Sequence, residues 1–100
     1  MPTGLEDIVP GYLTNRKKEV SEMFELLAAS EYERVSILGH NLKGSARGYG
    51  FPDLIPMGLA LEQSADQMDC GTLRTQIAAL GSYLDRVQLV AAGVTNSGSH

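Results

Sequence analysis

Cysteine is almost missing from this chain: Cys70 stands alone, so no internal disulfide can form. A single thiol near an expected helix start reads as a bystander and fits a reducing cytoplasm. Long apolar runs are missing too. None approaches the roughly 20 residues that a membrane span requires, and no signal-peptide pattern opens the chain, so a cytoplasmic location without membrane insertion is expected. Basic charge is scarce: Lys and Arg total 8 against 12 Asp and Glu, for a formal net charge of -4. The few cations are scattered, which removes the electrostatic basis for nucleic-acid binding. Strand-like alternation of useful length and internal repeats are also lacking. What remains, 43% hydrophobic and 20% charged over 100 residues, is one small globular domain. It has room for one core but not for a buried multi-substrate active site.

Helical spacing recurs from end to end. Leu5, Ile8, Val9, Tyr12 and Leu13 form a short apolar stripe interrupted by Pro10-Gly11, which predicts a short first helix with a kink or restart. Val20, Met23, Phe24, Leu27 and Ala28 mark a longer helix, with residues 15–18 as its solvated early face. Ser30 followed by Glu33 has the form of a capping box for the next helix, over about Glu31 to Tyr49. Its inward face would be Val35, Leu38, Leu42, Ala46 and Tyr49. Gly50-Phe51-Pro52-Asp53 is the clearest break; with Asp53 as cap, Pro56 falls in the first turn, where a missing N–H costs little. Leu54, Gly58, Leu61, Ala65 and Met68 supply the next stripe, and Leu73, Ile77, Leu80, Leu84 and Val87 the last. The expected fold is all-α: an antiparallel four-helix bundle with a short additional N-terminal helix. The bundle would occupy residues 1–94. The tail 95–100, which includes His100, has the composition of a cloning-derived or disordered extension and is set aside.

The third stripe leaves an unusual face behind. His40, Gly44 and Gly48 stack at i, i+4 and i+8 opposite Leu42, with Lys43 and Arg47 beside them. Glycine costs a helix interior about 1 kcal/mol relative to alanine, so this is a poor way to stabilise a helix. It is a good way to expose an imidazole over bare backbone and admit a flat protein surface. Imidazole is a competent nucleophile near neutral pH, and a phosphoryl group on it would carry close to two negative charges that Lys43 could offset. Two plainer readings stand beside this one. A lone helical histidine is often only a surface residue, and Gly44 and Gly48 could be close-packing glycines, against which their distance from the apolar stripe argues.

His40-Asn41-Leu42-Lys43-Gly44-Ser45-Ala46, with Gly50 beyond, resembles the signature of histidine-containing phosphotransfer (HPt) domains. The resemblance runs over roughly Leu5 to Val90 and takes in the Gly50–Leu54 turn and Leu61-Glu62. It implies that His40 accepts phosphate from an aspartyl-phosphate of a response-regulator receiver domain and passes it to another aspartate. It implies that Lys43 stabilises the phosphorylated ring and that Gly44 gives the receiver access. Glu62 matches the residue that orients the ring, although a one-residue slip would substitute Gln63. Arg47 and Gly48 fall on the docking face, Ser45 supports the helix, and Leu42 and Ala46 are core. The partners implied are receiver domains and a sensor or hybrid histidine kinase, with the chain itself a monomer. Departures from the pattern are the extra glycines Gly39 and Gly48 and the early Pro56. The phosphate-accepting domain of chemotaxis kinases shares His-x-x-Lys-Gly, but the Gly-Tyr-Gly-Phe-Pro turn looks more like the relay type.

The expected role is therefore a phosphorelay carrier in two-component signalling, not a stand-alone enzyme. No cofactor is expected on this chain, the receiver being the partner that brings Mg²⁺. The alternative is a helical docking module that binds a receiver through the same face without being phosphorylated. A small hydrolase with His40 as general base lacks a placed nucleophile, since Ser45 at i+5 points elsewhere. No His/Cys/Asp cluster has metal-ligand spacing, and the Gly39–Gly44 pair fails as a P-loop because Ser45 stands where its lysine belongs.

Overall fold

The computed structural model describes residues 5–91, which form four α-helices: α1 (Leu5–Ala28), α2 (Tyr32–Tyr49), α3 (Leu54–Asp66) and α4 (Cys70–Ala91). Among the described residues there is no strand, and no helix is long and apolar enough to cross a membrane. Each helix packs on two neighbours, in the order α1, α2, α3, α4 and back to α1. Side-chain pairs record the register. Thr14 and Lys17 of α1 meet Gln88 and Asp85 of α4, Tyr12 meets Ser45, and Ser36 of α2 meets Asp66 of α3. The tail 95–100 lies outside the described residues.

Helical periodicity accounts for the core. Leu13, Met23, Val35, Leu42, Leu54, Leu61, Leu73, Ile77, Leu80 and Leu84 are fully buried, one stripe from each helix facing the common axis. A buried Leu, Ile, Val or Met side chain contributes about 1.5–3 kcal/mol by leaving water, so these ten are the main cohesive force.

The first helix corrects the expectation of a restart. Leu5–Ala28 is continuous through Pro10-Gly11, and no separate short helix precedes it among the described residues. Pro10 lies in the second turn, where the only bond it forfeits is the one to the Glu6 carbonyl. Tyr12 and Leu13 are buried directly after it, in phase with Met23 and Leu27, so packing holds the two stripes on one axis.

The helix ends correct a second expectation. Ser30 does not cap α2; it closes α1 in the left-handed conformation, at φ 61°. The Ser30 N–H donates to the Leu27 carbonyl at 3.0 Å and the Glu31 N–H to the Leu26 carbonyl at 2.8 Å. Those two bonds define a Schellman ending, which satisfies carbonyls that a helix end would leave unpaired. Glu31 is the cap position of α2 and makes no side-chain capping bond, so the Ser30/Glu33 box is not formed. The same pair of bonds recurs at Met68 (φ 54°), while at Gly50 (φ 80°) the Gly50 and Phe51 N–H groups both donate to the Ala46 carbonyl. Met68 was expected in the core; its left-handed backbone turns it out of the stripe, and it is 66% exposed. Asp53 is the cap position of α3, without a side-chain bond, which leaves Pro56 in the first turn as expected. Asp69 caps α4, accepting from the Thr72 N–H and hydroxyl, and these bonds hold its carboxyl below the usual range.

Smaller departures share a cause. Phe24 and Ala28 are exposed, and Leu38 and Val87 only half-buried, because each stripe is narrower than the arc its apolar residues span. Tyr49 is exposed at its rim but stacks on Tyr12, ring centroids 4.2 Å apart, with Phe51 on the stack at 5.7 Å from Tyr12. The Arg16 guanidinium lies 4.7 Å from the Tyr12 centroid, closing the end of the α1–α2 interface.

Candidate functional site

Burial of Val35, Leu42 and Ala46 turns the opposite side of α2 to solvent. His40 stands there with its side chain 64% exposed. Gly44, Arg47 and Gly48 are exposed on the same helix, and Lys43 is half-buried at the edge facing α3. A methyl group built on Gly44 or Gly48 would meet nothing within 4 Å. They are therefore not packing glycines, and the ground beside the imidazole is bare.

The third helix supplies the counter-group. Glu62 Oε2 lies 3.2 Å from His40 Nδ1, and Glu62 Oε1 accepts from Lys43 Nζ at 3.0 Å. One carboxylate thus bridges the ring and the ammonium. Hydrogen bonding from Lys43, its charge, and the neighbouring His40 hold the Glu62 carboxyl below its ordinary 4.5, against a smaller opposing effect of burial. Glu62 keeps about a quarter of its side-chain surface, so water screens this pairing in part.

The bridge has a chemical consequence for the ring. A carboxylate only accepts, so a neutral His40 bonded to it carries its proton on Nδ1. Nε2, across the ring, is then the unprotonated nitrogen with a free lone pair. That is the protonation pattern of a nucleophilic imidazole.

Of the residues singled out from the sequence, His40 and Lys43 each contact Glu62, and Gly44, Arg47 and Gly48 lie on the exposed face of the same helix as His40. Gln63 is exposed, and the carboxylate at the ring belongs to Glu62, which removes the one-residue ambiguity in position. Ser45 turns toward α1: its hydroxyl pairs with the Tyr12 hydroxyl at 2.9 Å, receives Arg16 at 3.4 Å and donates to the Leu42 carbonyl at 3.3 Å. Ser45 is accordingly a helix-to-helix tie. Sequence reading missed two features next to the site. Ser36 donates to Asp66 at 3.1 Å one turn before His40, and Gly39 is buried against Gly58. Small residues at matching heights on two neighbouring stripes were the available signal for the second.

No protein-family model, curated protein or solved structure matches the chain.

Proposed function

We propose that this protein is a phosphorelay carrier that receives a phosphoryl group on His40 Nε2 and returns it to an aspartate of a receiver domain. The observation that carries the reading is a solvent-exposed imidazole tied at Nδ1 to Glu62, with Lys43 on the same carboxylate and open glycine backbone alongside. In the step, the Nε2 lone pair attacks phosphorus of an aspartyl-phosphate. The N–P bond forms, the P–O bond to the aspartate breaks, and the carboxylate departs with the electron pair. The ring gains positive charge as this happens, and Glu62 faces that charge through the Nδ1–H. Lys43 lies beside the incoming group and offsets its negative charge. The partner supplies Mg²⁺ and the acidic pocket.

The remaining expectations form one picture with this role. The cross-helix pairs support an antiparallel up-and-down bundle, in which a rigid α2–α3 pair presents the ring. Gly44 and Gly48 let the receiver surface approach α2 closely, and Arg47 contributes positive charge at the rim. A monomeric, cytoplasmic carrier shuttling between a hybrid or sensor kinase and a regulator is the corresponding cellular role, and the HPt resemblance of residues 40–46 points the same way.

The test is to mix the purified protein with acetyl-phosphate-loaded receiver domains and Mg²⁺. Acid-labile label is expected on the wild type and none on His40→Gln, with helical circular dichroism equal in both. Binding to receivers without any transfer would instead favour a docking module.

A further inference from the structure

Two glycines that the chemistry above does not use lie where the backbones of α2 and α3 come into direct contact. A Cβ placed on Gly39 would sit 2.9 Å from the Gly58 carbonyl oxygen and 3.1 Å from the backbone nitrogen of Glu62. A Cβ placed on Gly58 would sit 2.6 Å from the Gly39 carbonyl oxygen and 2.8 Å from the backbone nitrogen of Lys43. These are backbone atoms, which cannot rotate out of the way. An added methyl must therefore move one helix relative to the other.

The neighbours of those two positions matter. Gly39 precedes His40 and abuts the backbone of Glu62; Gly58 lies one turn before Glu62 and abuts the backbone of Lys43. The glycine contact sets the distance between the main chains that carry the bridge. Its two arms tolerate separation differently. Lys43 has a long flexible stem and can follow a receding carboxylate. The imidazole is short and rigid, and its contact with Glu62 is already 3.2 Å. A shift of about half an ångström or more takes that contact beyond hydrogen-bonding range.

We infer that Gly39 and Gly58 are positioning residues: their backbone-to-backbone contact holds α3 close enough to α2 for Glu62 to keep the His40 proton on Nδ1 and so leave Nε2 free. The importance of this for transfer rests on the proposed function; the effect on the ring does not. Elsewhere the same economy is absent. A Cβ on Gly81, at the α1–α4 contact, would meet only the tip of the Val20 side chain at 3.4 Å, an ordinary contact.

The test reads the ring itself. In ¹⁵N-labelled protein above the histidine titration range, the His40 ring nitrogens, assigned by their loss in His40→Gln, report which one carries the proton. Wild type should show Nδ1–H in excess, the reverse of a free histidine. Gly58→Ala, made together with Ser30→Gly and Met68→Gly to relieve left-handed strain at two helix ends, should lose that excess while remaining helical. Gly81→Ala should retain it. Phosphoryl acceptance by Gly58→Ala should fall on the order of 10- to 100-fold, the scale of a sub-ångström to ångström misplacement. A wild type without the Nδ1–H excess would overturn the inference, as would a folded Gly58→Ala that keeps it. If Gly58→Ala does not fold, Gly39→Ala takes its place under the same criteria. Failure of both to fold would show that the fold alone demands these glycines, and would also overturn the inference. Should the ring behave as expected while no receiver labels the wild type, the positioning role stands and the phosphorelay reading falls.

Discussion

Among the described residues three helices end in the left-handed conformation, and one of those three uses glycine there. Ser30 (φ 61°) and Met68 (φ 54°) do what Gly50 does at φ 80°. For an L-residue this conformation costs about 1–2 kcal/mol. Replacing it by glycine removes that cost and returns about 0.5–1 kcal/mol through the greater freedom of the unfolded chain. The net gain is about 0.5–1 kcal/mol at each site. Neither side chain gives up burial in exchange, since Met68 is 66% exposed and Ser30 is exposed. Ser30→Gly and Met68→Gly together should therefore stabilise the protein by about 1–2 kcal/mol. At roughly 4–8 °C per kcal/mol for a domain of this size, the melting temperature should rise by several degrees. Gly50→Ala should do the opposite and lower stability by about 1 kcal/mol. Urea unfolding followed by circular dichroism, with the m-value unchanged, measures all three. A Ser30→Gly or Met68→Gly protein less stable than wild type, or a neutral Gly50→Ala, would refute the reasoning.

Other expectations are more local. Leu84→Ala empties a fully buried position and should cost about 2–5 kcal/mol in the same urea titration. Tyr12→Phe keeps the aromatic stack but removes the bond to Ser45; it should cost about 1 kcal/mol and leave phosphoryl acceptance unchanged. Glu62→Gln should abolish the Nδ1–H excess of His40 or weaken it strongly, read from the ¹⁵N ring shifts, with little loss of helicity. Glu62 and Asp69 both have depressed pKa values, so the stability they contribute is present above their ordinary 4.5 and 3.8 and is lost as pH falls through the lower folded values. Glu19 is shifted upward, chiefly by burial, and protonating it works in the opposite sense. Denaturation midpoints measured from pH 7 down to about pH 2 should not fall before about pH 4.5, with a slight rise as Glu19 protonates, and should then decline, less steeply in Glu62→Gln.

Most of the architecture was legible because it depends on period. Apolar residues three and four apart placed Val35, Leu42 and Ala46, then Leu54, Leu61 and Ala65, then the Leu73–Leu84 series, on the faces they occupy. His40 was legible by the same arithmetic, as the residue left opposite. What escaped was decided by partners distant in the chain or by backbone conformation without a residue-type mark. Local propensity argues for a break at Pro10-Gly11, and burial of Tyr12 and Leu13 overrides it. Ser30 has the composition of an N-cap and ends a helix instead, since the Leu26 and Leu27 carbonyls before it require closure. The choice between Glu62 and Gln63 turned on the rotation of α3, which one residue of uncertainty at its start changes by about 100°. Gly39 looked like a liability within one helix; its role exists only against Gly58, nineteen positions on.

The central claim is that His40 carries phosphate through Nε2, with Nδ1 held by Glu62. The most direct measurement is ³¹P and ¹⁵N NMR of the protein after incubation with a phosphorylated receiver domain and Mg²⁺. The expected result is one phosphoramidate signal coupled to His40 Nε2, absent from His40→Gln and returned to the receiver when fresh unphosphorylated receiver is added. Phosphate bonded to Nδ1 or to another residue, or no transfer from a broad set of receivers, would contradict it.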